Sequence, residues 1–196
     1  MIIFGESTET IHKENKIKFK LDIANVMFSS GNMEERKRTA FISNETEIVV
    51  DMFAGIGYFS IPLAVYSKPK EIHAYEINSV AYRYLCENIK LNKVQHIVRH
   101  YLADNRDAEE GIADRVIMGY LKDTYKYLSK ALRILKPSGG IIHYHENCPN
   151  EIMLKLFDKV KNLITEIGKS AVLLELRKVK SYAPGVTHVV LDLKIE

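Results

Sequence analysis

The segment that most constrains the fold is a β-branched run that breaks into a glycine turn, residues 49–60 (VVDMFAGIGYFS). A backbone that turns tightly after a buried strand needs residues without side chains, and Gly55 and Gly57 also let a ligand approach the main chain. The helix predicted to follow presents free N–H groups to that ligand. The next strand-like run ends on Glu76, 19 residues after Gly57, near the spacing of a ribose-binding carboxylate. We therefore predict a nucleoside cofactor at this turn.

The identity of the nucleoside depends on the position where a dinucleotide fingerprint has its third glycine. Ser60 stands there, and because the third glycine serves helix–strand packing around a pyrophosphate, the nicotinamide interpretation is weakened. Asp51 before the turn and an acid closing the next strand instead resemble S-adenosylmethionine (SAM)-dependent transferases. A third run, residues 97–105, begins apolar and ends in Asp104-Asn105, where an adenine amino group is expected. We predict SAM as the cofactor.

Composition limits the class of protein. At 196 residues and 46% hydrophobic, the chain can bury one proper core. A net charge of +3 and a pI near 8.7 are compatible with nucleic acid without indicating it. Cys86 and Cys148 occur in unrelated contexts, so we expect no disulfide framework and no zinc site. The sequence has no apolar run of membrane-spanning length and no signal-peptide pattern, so we expect a cytoplasmic protein without a membrane partner.

Strand and helix signals alternate from Ile48 onward, which predicts an α/β fold: a doubly wound, seven-stranded, mostly parallel sheet of the Rossmann-like SAM-transferase type. Residues 48–196 are predicted to form the SAM-binding catalytic domain, and residues 1–47 a segment that packs beside the cofactor site. The predicted strands are residues 16–21, 48–52, 71–76, 96–102, 114–119, 141–145, 171–179 and 187–195, and the predicted helices are residues 34–42, 58–66, 79–91, 123–135 and 151–167.

Several motifs together resemble one family, the archaeal and eukaryotic tRNA-modifying transferases that act beside the anticodon. They are residues 28–36 (FSSGNMEER), 51–60, 75–78 (YEIN), 103–106 (ADNR), 143–146 (HYHE) and 182–186 (YAPGV), and the match covers nearly the whole chain. Two sister activities share this scaffold. One methylates N1 of the guanine next to the anticodon; the other, in wyosine (wybutosine) biosynthesis, transfers the 3-amino-3-carboxypropyl arm of SAM to C7 of the tricyclic base made from that guanine. Family members usually carry an additional N-terminal portion, most of which this chain lacks, so either a truncation or a minimal version is expected.

The end of the fourth strand of the predicted SAM domain separates the two activities. The methyltransferases carry an Asn-Leu-Pro or Asn-Pro-Pro type motif there, whereas this chain has Met118-Gly119-Tyr120-Leu121. The sequence is thus similar to the aminocarboxypropyl transferases, which implies a substrate of 4-demethylwyosine in tRNA(Phe) and 5′-methylthioadenosine as by-product. A tRNA guanine-N1 methyltransferase is the alternative, and a non-catalytic tRNA-binding module is a second alternative.

The site residues follow in two groups. We expect Glu76 to accept hydrogen bonds from the ribose and Asp104 from the adenine, while the resemblance assigns Ser29 and Arg36 to the methionyl end, where a guanidinium can pair with a carboxylate. The predicted cofactor-binding residues are Ser29, Arg36, Phe53, Gly55, Glu76, Ile77, Asp104 and Asn105. The substrate-lining candidates are Gly119, Tyr120 and His145.

Some of these residues have plainer interpretations. Arg36 can simply face solvent or phosphate, and Phe53 can belong to the core. No general base is evident, and an electron-rich ring carbon attacking a sulfonium needs no strong one. His143 and His145 share one strand face, but without a third ligand at matching spacing a structural or substrate-lining role is favoured over a metal pair. We therefore predict no metal.

Overall fold

The computed structural model describes residues 7–196, which form one large sheet, one small sheet and five α-helices. The strands are β1 (Glu9–Glu14), β2 (Ile17–Asp22), β3 (Ile48–Asp51), β4 (Glu71–Glu76), β5 (Val98–Leu102), β6 (Arg115–Met118), β7 (Gly140–Pro149), β8 (Ala171–Ala183) and β9 (Val186–Ile195). The helices are α1 (Met33–Thr39), α2 (Ser60–Tyr66), α3 (Ser79–Leu91), α4 (Leu128–Ile134) and α5 (Leu156–Glu166). Four short 3-10 turns lie at Ser30–Asn32, Asn105–Asp107, Thr124–Tyr127 and Asn150–Lys155.

The large sheet has seven strands in the order β5-β4-β3-β6-β7-β9-β8. The five strands from β5 to β7 are parallel, and β9 pairs antiparallel with both β7 and β8. This confirms the predicted fold class, with the C-terminal hairpin at one edge. The strand order reverses between β3 and β6, and in such sheets the ligand crevice lies at the carboxyl ends of the strands around the reversal.

Burial of both faces explains why the central strands read as continuous apolar runs. Val50, Val116 and Ile142 belong to the cluster on one face, which α4 and α5 cover, whereas Val49 and Ile117 belong to the cluster on the other face with α2 and α3. The ends of β3 and β6 are therefore held in the core, and they position the loops that follow them.

The N-terminal part packs on the second of these clusters. β1 and β2 form a two-stranded antiparallel sheet, and Ile17, Phe19 and Leu21 are buried among the side chains of α2 and α3. Asn88 of α3 fixes this sheet by accepting from the backbone N–H of Lys20 at 2.6 Å and donating to its carbonyl at 3.0 Å. The division of the chain at residue 47 stays a prediction.

Some element boundaries differ from the predictions. β1 was missed because ETIHKE has no run of apolar residues and five of its six side chains are half-buried or exposed. β7 extends to Pro149 because β9 pairs with it along its whole length. The helices predicted at residues 123–135 and 151–167 both begin as 3-10 turns, and Asp123, with a φ of 56°, lies immediately before the first. Across residues 7–196, every helix falls short of the length and apolar character that crossing a membrane requires.

Candidate cofactor-binding site

The glycine turn joins β3 to α2 and adopts a backbone that only glycine accommodates easily. Gly55 and Gly57 have φ values of +58° and +97°, in the left-handed region. A Cβ at Gly57 would lie 2.4 Å from the Cδ1 of Ile61, so the close packing of the turn on its own helix also requires glycine. The turn therefore has the geometry that the sequence predicted.

Ser60 occupies the third-glycine position because its side chain has a partner. Its hydroxyl donates a 2.6 Å hydrogen bond to Oδ2 of Asp51, which is fully buried at the end of β3. Burial raises the pKa of Asp51 to about 6, although the Ser60 hydroxyl and the backbone N–H of Phe53 oppose the shift. This hydrogen bond joins the residue before the glycine turn to the first residue of α2, so Asp51 stabilises the turn without lining the cavity.

A cavity of about 300 Å³ opens where β3, β4, β5 and β6 end. Its lining residues are Met52, Phe53, Tyr75, Glu76, Ile77, Ala103, Asp104, Asn105, Gly119, Tyr120 and Tyr127. We call this space the first cavity. It brings together seven of the predicted site residues.

Glu76, the last residue of β4, lines the first cavity. Its Oε2 accepts a hydrogen bond from the backbone N–H of Gly55 at 2.8 Å, and its Oε1 accepts one from the N–H of Asn78 at 2.7 Å. An ionised carboxylate offers about four acceptor positions, so about two remain for ligand hydroxyls. Gly55 therefore contributes by orienting Glu76 through its N–H.

Asp104 and Asn105 differ in how they are held. Asp104 accepts a hydrogen bond from the backbone N–H of Arg106 at 2.9 Å and one from its Nη2 at 2.5 Å. The hydrogen bond from the Arg106 side chain lowers the pKa of Asp104. Asn105 is buried, and its Oδ1 has no hydrogen-bond partner within residues 7–196. A buried polar atom without a partner costs free energy, so Asn105 is prepared to bind a donor group of a ligand.

Aromatic rings form one wall of the first cavity. Phe53 stacks on Tyr120 with ring centroids 4.9 Å apart, and Tyr127 meets Phe53 edge-on at 5.0 Å. Ile77 is 69% exposed. A planar ligand in the cavity would cover this aliphatic side chain and remove its apolar surface from water. Tyr127 was missed from the sequence, because tyrosines in a helical pattern carry no signal that one of them faces a ligand.

A second cavity of about 150 Å³ adjoins the first and shares Gly119 with it. It is lined by Met27, Ser29, Asn32, Arg36, Tyr58, Phe59, Gly119, Leu121, His145 and His188. A Cβ at Gly119 would lie 2.8 Å from the Phe59 ring, so a side chain at the junction between the two cavities would require that ring to shift.

Arg36 is buried in the second cavity and already has an anionic partner. Its Nε and Nη2 donate to the two carboxylate oxygens of Glu14 at 2.8 and 2.6 Å, and its Nη1 donates to the carbonyl of Ser29 at 2.9 Å. Burial alone would raise the pKa of Glu14, but the hydrogen bonds from Arg36 hold it below its ordinary value. A guanidinium has five N–H donors, so about two of them are left for a ligand. The interpretation that Arg36 faces solvent is wrong, because it is 2% exposed.

His145 lies beside a second imidazole rather than a metal set. Its Nδ1 is 3.1 Å from Nε2 of His188, and both rings are buried. Burial lowers the pKa of both, that of His188 to about 4, so both are neutral near pH 7. His143 on the same strand face contacts Asp192 at 2.6 Å and Arg115 at 2.7 Å instead. Within residues 7–196, no three His, Cys, Asp or Glu side chains are grouped so as to hold a metal ion.

Three polar atoms on residues that line the second cavity lack partners in the described part of the chain: Asn32 Oδ1, His145 Nε2 and His188 Nδ1. Together with Ser29 and Arg36 they offer both donors and acceptors, which suits an amino acid end that carries an ammonium and a carboxylate. Asn32 and His188 were not predicted. His188 has no signal in the sequence, because only the antiparallel pairing of β7 with β9 brings it to His145.

The shape and donor set of the two joined cavities therefore fit SAM, with a nucleoside in the first cavity and an amino acid end in the second. Glu76 and the partnerless Asn105 Oδ1 suit a nucleoside. The partnerless atoms and the guanidinium suit the zwitterion.

Comparison with known proteins extends these observations. The family described as the TRM5/TYW2 methyltransferase domain matches residues 10–173 of the chain. The chain is 56% identical over its whole length to a tRNA(Phe) (4-demethylwyosine(37)-C(7)) aminocarboxypropyltransferase of Methanocaldococcus jannaschii, of which it covers 78%. It superposes with a TM-score of 0.95 on a crystal structure of M. jannaschii TYW2 in complex with AdoMet, at 56% identity, covering 100% of this chain and 90% of that one.

A sister activity is found at greater distance. The chain is 40% identical, over 98% of its length, to the tRNA (guanine(37)-N(1))-methyltransferase Trm5b of Pyrococcus abyssi, of which it covers 58%. The aminocarboxypropyltransferase is thus more similar in sequence and is covered more completely.

Proposed function

The chain belongs to the TRM5/TYW2 methyltransferase domain family, and from this premise we propose that it transfers the 3-amino-3-carboxypropyl group of SAM to C7 of 4-demethylwyosine next to the anticodon of tRNA(Phe). The observation that carries this function is the 56% identity over the whole chain to an enzyme named for that reaction, against 40% to the methyltransferase. The protein is a SAM-dependent transferase of tRNA modification. Because its substrate is tRNA, we also propose that it works in the cytoplasm.

SAM supplies a sulfonium with three activated carbons, and the reaction is decided by which of them is presented to the attacking atom. The chain therefore acts mainly by binding and orientation. In this proposal Glu76 binds the ribose hydroxyls, and Asp104 and Asn105 bind the adenine edge. Phe53 and Ile77 pack on the two faces of the adenine. The support is that all five residues line the first cavity.

The second cavity has the role of holding the methionyl end. Arg36 donates to the carboxylate with the N–H groups that Glu14 and the Ser29 carbonyl leave free. Ser29 contributes its hydroxyl, which also accepts a 2.5 Å hydrogen bond from Nζ of Lys180. Charge-assisted hydrogen bonds of this kind are about twice as strong as neutral ones. Held at both ends, the cofactor arm would be fixed relative to Gly119, the residue that lines both cavities.

Gly119, Tyr120 and His145 are proposed to line the space for the substrate base. Tyr120 presents a ring, 36% exposed, on which a base can stack. Burial lowers the pKa of His145, so its ring is neutral, and its Nε2, which has no partner within residues 7–196, can form a hydrogen bond with the base. The base itself supplies the nucleophilic carbon, and the ring proton displaced from C7 leaves to solvent or to a neighbouring residue.

The experiment that tests this function identifies the nucleoside released from SAM. The protein is incubated with SAM and tRNA(Phe) that carries 4-demethylwyosine, and the products are separated by chromatography. We expect 5′-methylthioadenosine and a tRNA heavier by one aminocarboxypropyl group. Release of S-adenosylhomocysteine alone, with tRNA whose guanine is unmodified as the better substrate, would establish the methyltransferase instead. Binding of tRNA without measurable SAM affinity would indicate the non-catalytic module.

A further inference from the structure

A third cavity, outside the two that fit SAM, opens beside the carboxyl-terminal half of β7. Its volume is about 380 Å³, within the range of roughly 300–1,000 Å³ that small-molecule sites occupy. Side chains from β7, from α5 and from the 3-10 turn Thr124–Tyr127 line it. It is the largest of these three cavities, and the proposed transfer reaction assigns it no role.

The third cavity shares a structural element with the cofactor site. Within the turn Thr124–Tyr127, Tyr127 lines the first cavity and Tyr125 lines the third. The hydroxyl of Thr124 donates a 2.7 Å hydrogen bond to the carbonyl of Tyr120, which ties this turn to the loop that follows Gly119. Only the loop 120–123 and this turn therefore separate Gly119 from the third cavity along the chain.

The rim of the third cavity combines an aromatic ring with ammonium groups. Tyr125 is 42% exposed, and the Nζ of Lys159 lies 5.4 Å from its ring centroid. Lys155, the last residue of the 3-10 turn Asn150–Lys155, also lines the cavity, four positions before Lys159. Asp123, the acid at this rim, is paired with Lys126 at 2.8 Å. A ring for stacking beside two ammonium groups is the combination that binds single-stranded nucleic acid.

The floor of the cavity offers acceptors for the edge of a base. Glu146 lines the cavity, and its Oε2 accepts a 2.8 Å hydrogen bond from the hydroxyl of Tyr144. Its Oε1 accepts a hydrogen bond from the backbone N–H of Asn147 at 3.2 Å, and each carboxylate oxygen has a second lone pair for a ligand. Amino and imino N–H groups of a nucleobase would satisfy these acceptors, whereas an apolar side chain of a protein partner would leave them unpaired.

We propose that the third cavity binds a nucleotide of the tRNA that adjoins the modified one, with its base stacked on Tyr125 and its phosphate at Lys155 and Lys159. This inference rests on the proposed function only in taking tRNA as the substrate. The cavity is thus a second contact point on the RNA, which fixes the strand while the modified base lies at Gly119.

The test measures tRNA affinity and salt dependence for the full chain, with tRNA(Phe) as the probe. Tyr125→Ala is expected to weaken tRNA binding about 5- to 150-fold, the usual range for one lost base stack, and Tyr125→Phe to retain it. Lys159→Ala is expected to lower the slope of log Kd against log salt by about 0.7–0.9, the value for one lost phosphate contact. Lys161→Ala is the matched control, since Lys161 lies on the same helix but does not line the cavity. SAM affinity, measured in parallel, stays unchanged in all four variants.

A substrate lacking one base identifies the occupant. With tRNA made abasic on one side of the modified nucleotide, the penalty of Tyr125→Ala is expected to disappear, and with the other side abasic it is expected to persist. Equal binding by Tyr125→Ala and the parent protein, or a penalty that persists with both abasic tRNAs, would overturn the proposal. Because these assays measure binding, their outcome is independent of which nucleoside SAM releases, so a failure of the proposed function is recognised separately by that by-product.

Discussion

The first and second cavities adjoin at Gly119 but are built in different ways. The first is made from the ends of parallel strands and the loops that directly follow them, and its charged side chains are partly solvated. The second adds, to the loops after β3 and β6, residues from a 3-10 turn, α1, β7 and β9, which are as far apart in sequence as Ser29 and His188. Its charged and imidazole groups are buried: Arg36 is paired with Glu14, and His145 with His188. A nucleoside pocket can thus come from one repeated βα pattern, whereas the pocket beside it requires long-range packing.

The largest expected effect is in the first cavity. Glu76→Ala should weaken SAM binding at least about 100-fold, because hydrogen bonds to a charged group contribute about 1.5–3 kcal/mol each and the same change frees the N–H of Gly55. Isothermal titration calorimetry measures it. Glu71→Ala is the control, since Glu71 begins the same strand and pairs with Arg99 and His73 away from the site. Unchanged SAM affinity in Glu76→Ala would refute the ribose assignment.

A smaller effect should separate the second cavity from the first. Arg36→Lys keeps a cation beside Glu14 but loses the planar donor set, so we expect SAM to bind about 10- to 30-fold more weakly. 5′-Methylthioadenosine lacks the amino acid arm, so its dissociation constant for Arg36→Lys should lie within about twofold of that for the parent protein. The ratio of the two dissociation constants is the measurement.

Two controls show whether the loss of SAM affinity in Arg36→Lys comes from the binding site or from the fold. Circular dichroism checks that the variant is folded, because breaking a buried ion pair outright costs about 3–5 kcal/mol. If SAM and 5′-methylthioadenosine lose affinity equally, Arg36 supports the fold rather than the methionyl end, and the difference between the two cavities is less than proposed.

The smallest effect is a pH dependence of stability that arises in the second cavity. The pKa of His188 is lowered to about 4 in the folded protein by burial, with Lys180 contributing, whereas in the unfolded chain it is near 6.5. Between these values the unfolded state binds more protons, so this residue makes the protein lose stability as the pH falls from about 6.5 towards 4. At pH 5.5 the loss from His188 should be about 1 kcal/mol relative to pH 7.5.

Urea unfolding at these two pH values measures the change. His188→Gln removes the titrating group and should reduce the difference by about 1 kcal/mol, whereas Lys161→Ala should leave it as in the parent protein. An identical pH dependence in His188→Gln and the parent would mean that the buried imidazole does not control stability in this range.

The motifs of the first cavity could be located from the sequence because they are local. β4 and α3 have the predicted bounds, and Glu76, Asp104 and Asn105 lie at one cavity because the carboxyl ends of neighbouring parallel strands meet at one edge of a sheet. The partners of the second cavity could not be located in this way. Glu14 lies on β1, which has no strand signal, and the pairing of Arg36 with it joins residues 22 positions apart.

The sequence by itself determined where the glycine turn lies, which acid follows it and that position 119 is a glycine. Each of these is a property of a few consecutive residues. The tertiary structure decided three contacts. Ser60 donates a hydrogen bond to Asp51, the charge of Arg36 is paired with that of Glu14, and the imidazole of His145 lies within hydrogen-bond distance of that of His188. These contacts are hydrogen bonds between buried groups, and burial is a property of the packed chain rather than of any segment. For that reason the cofactor could be inferred from a local pattern, whereas the surroundings of its amino acid end required the fold.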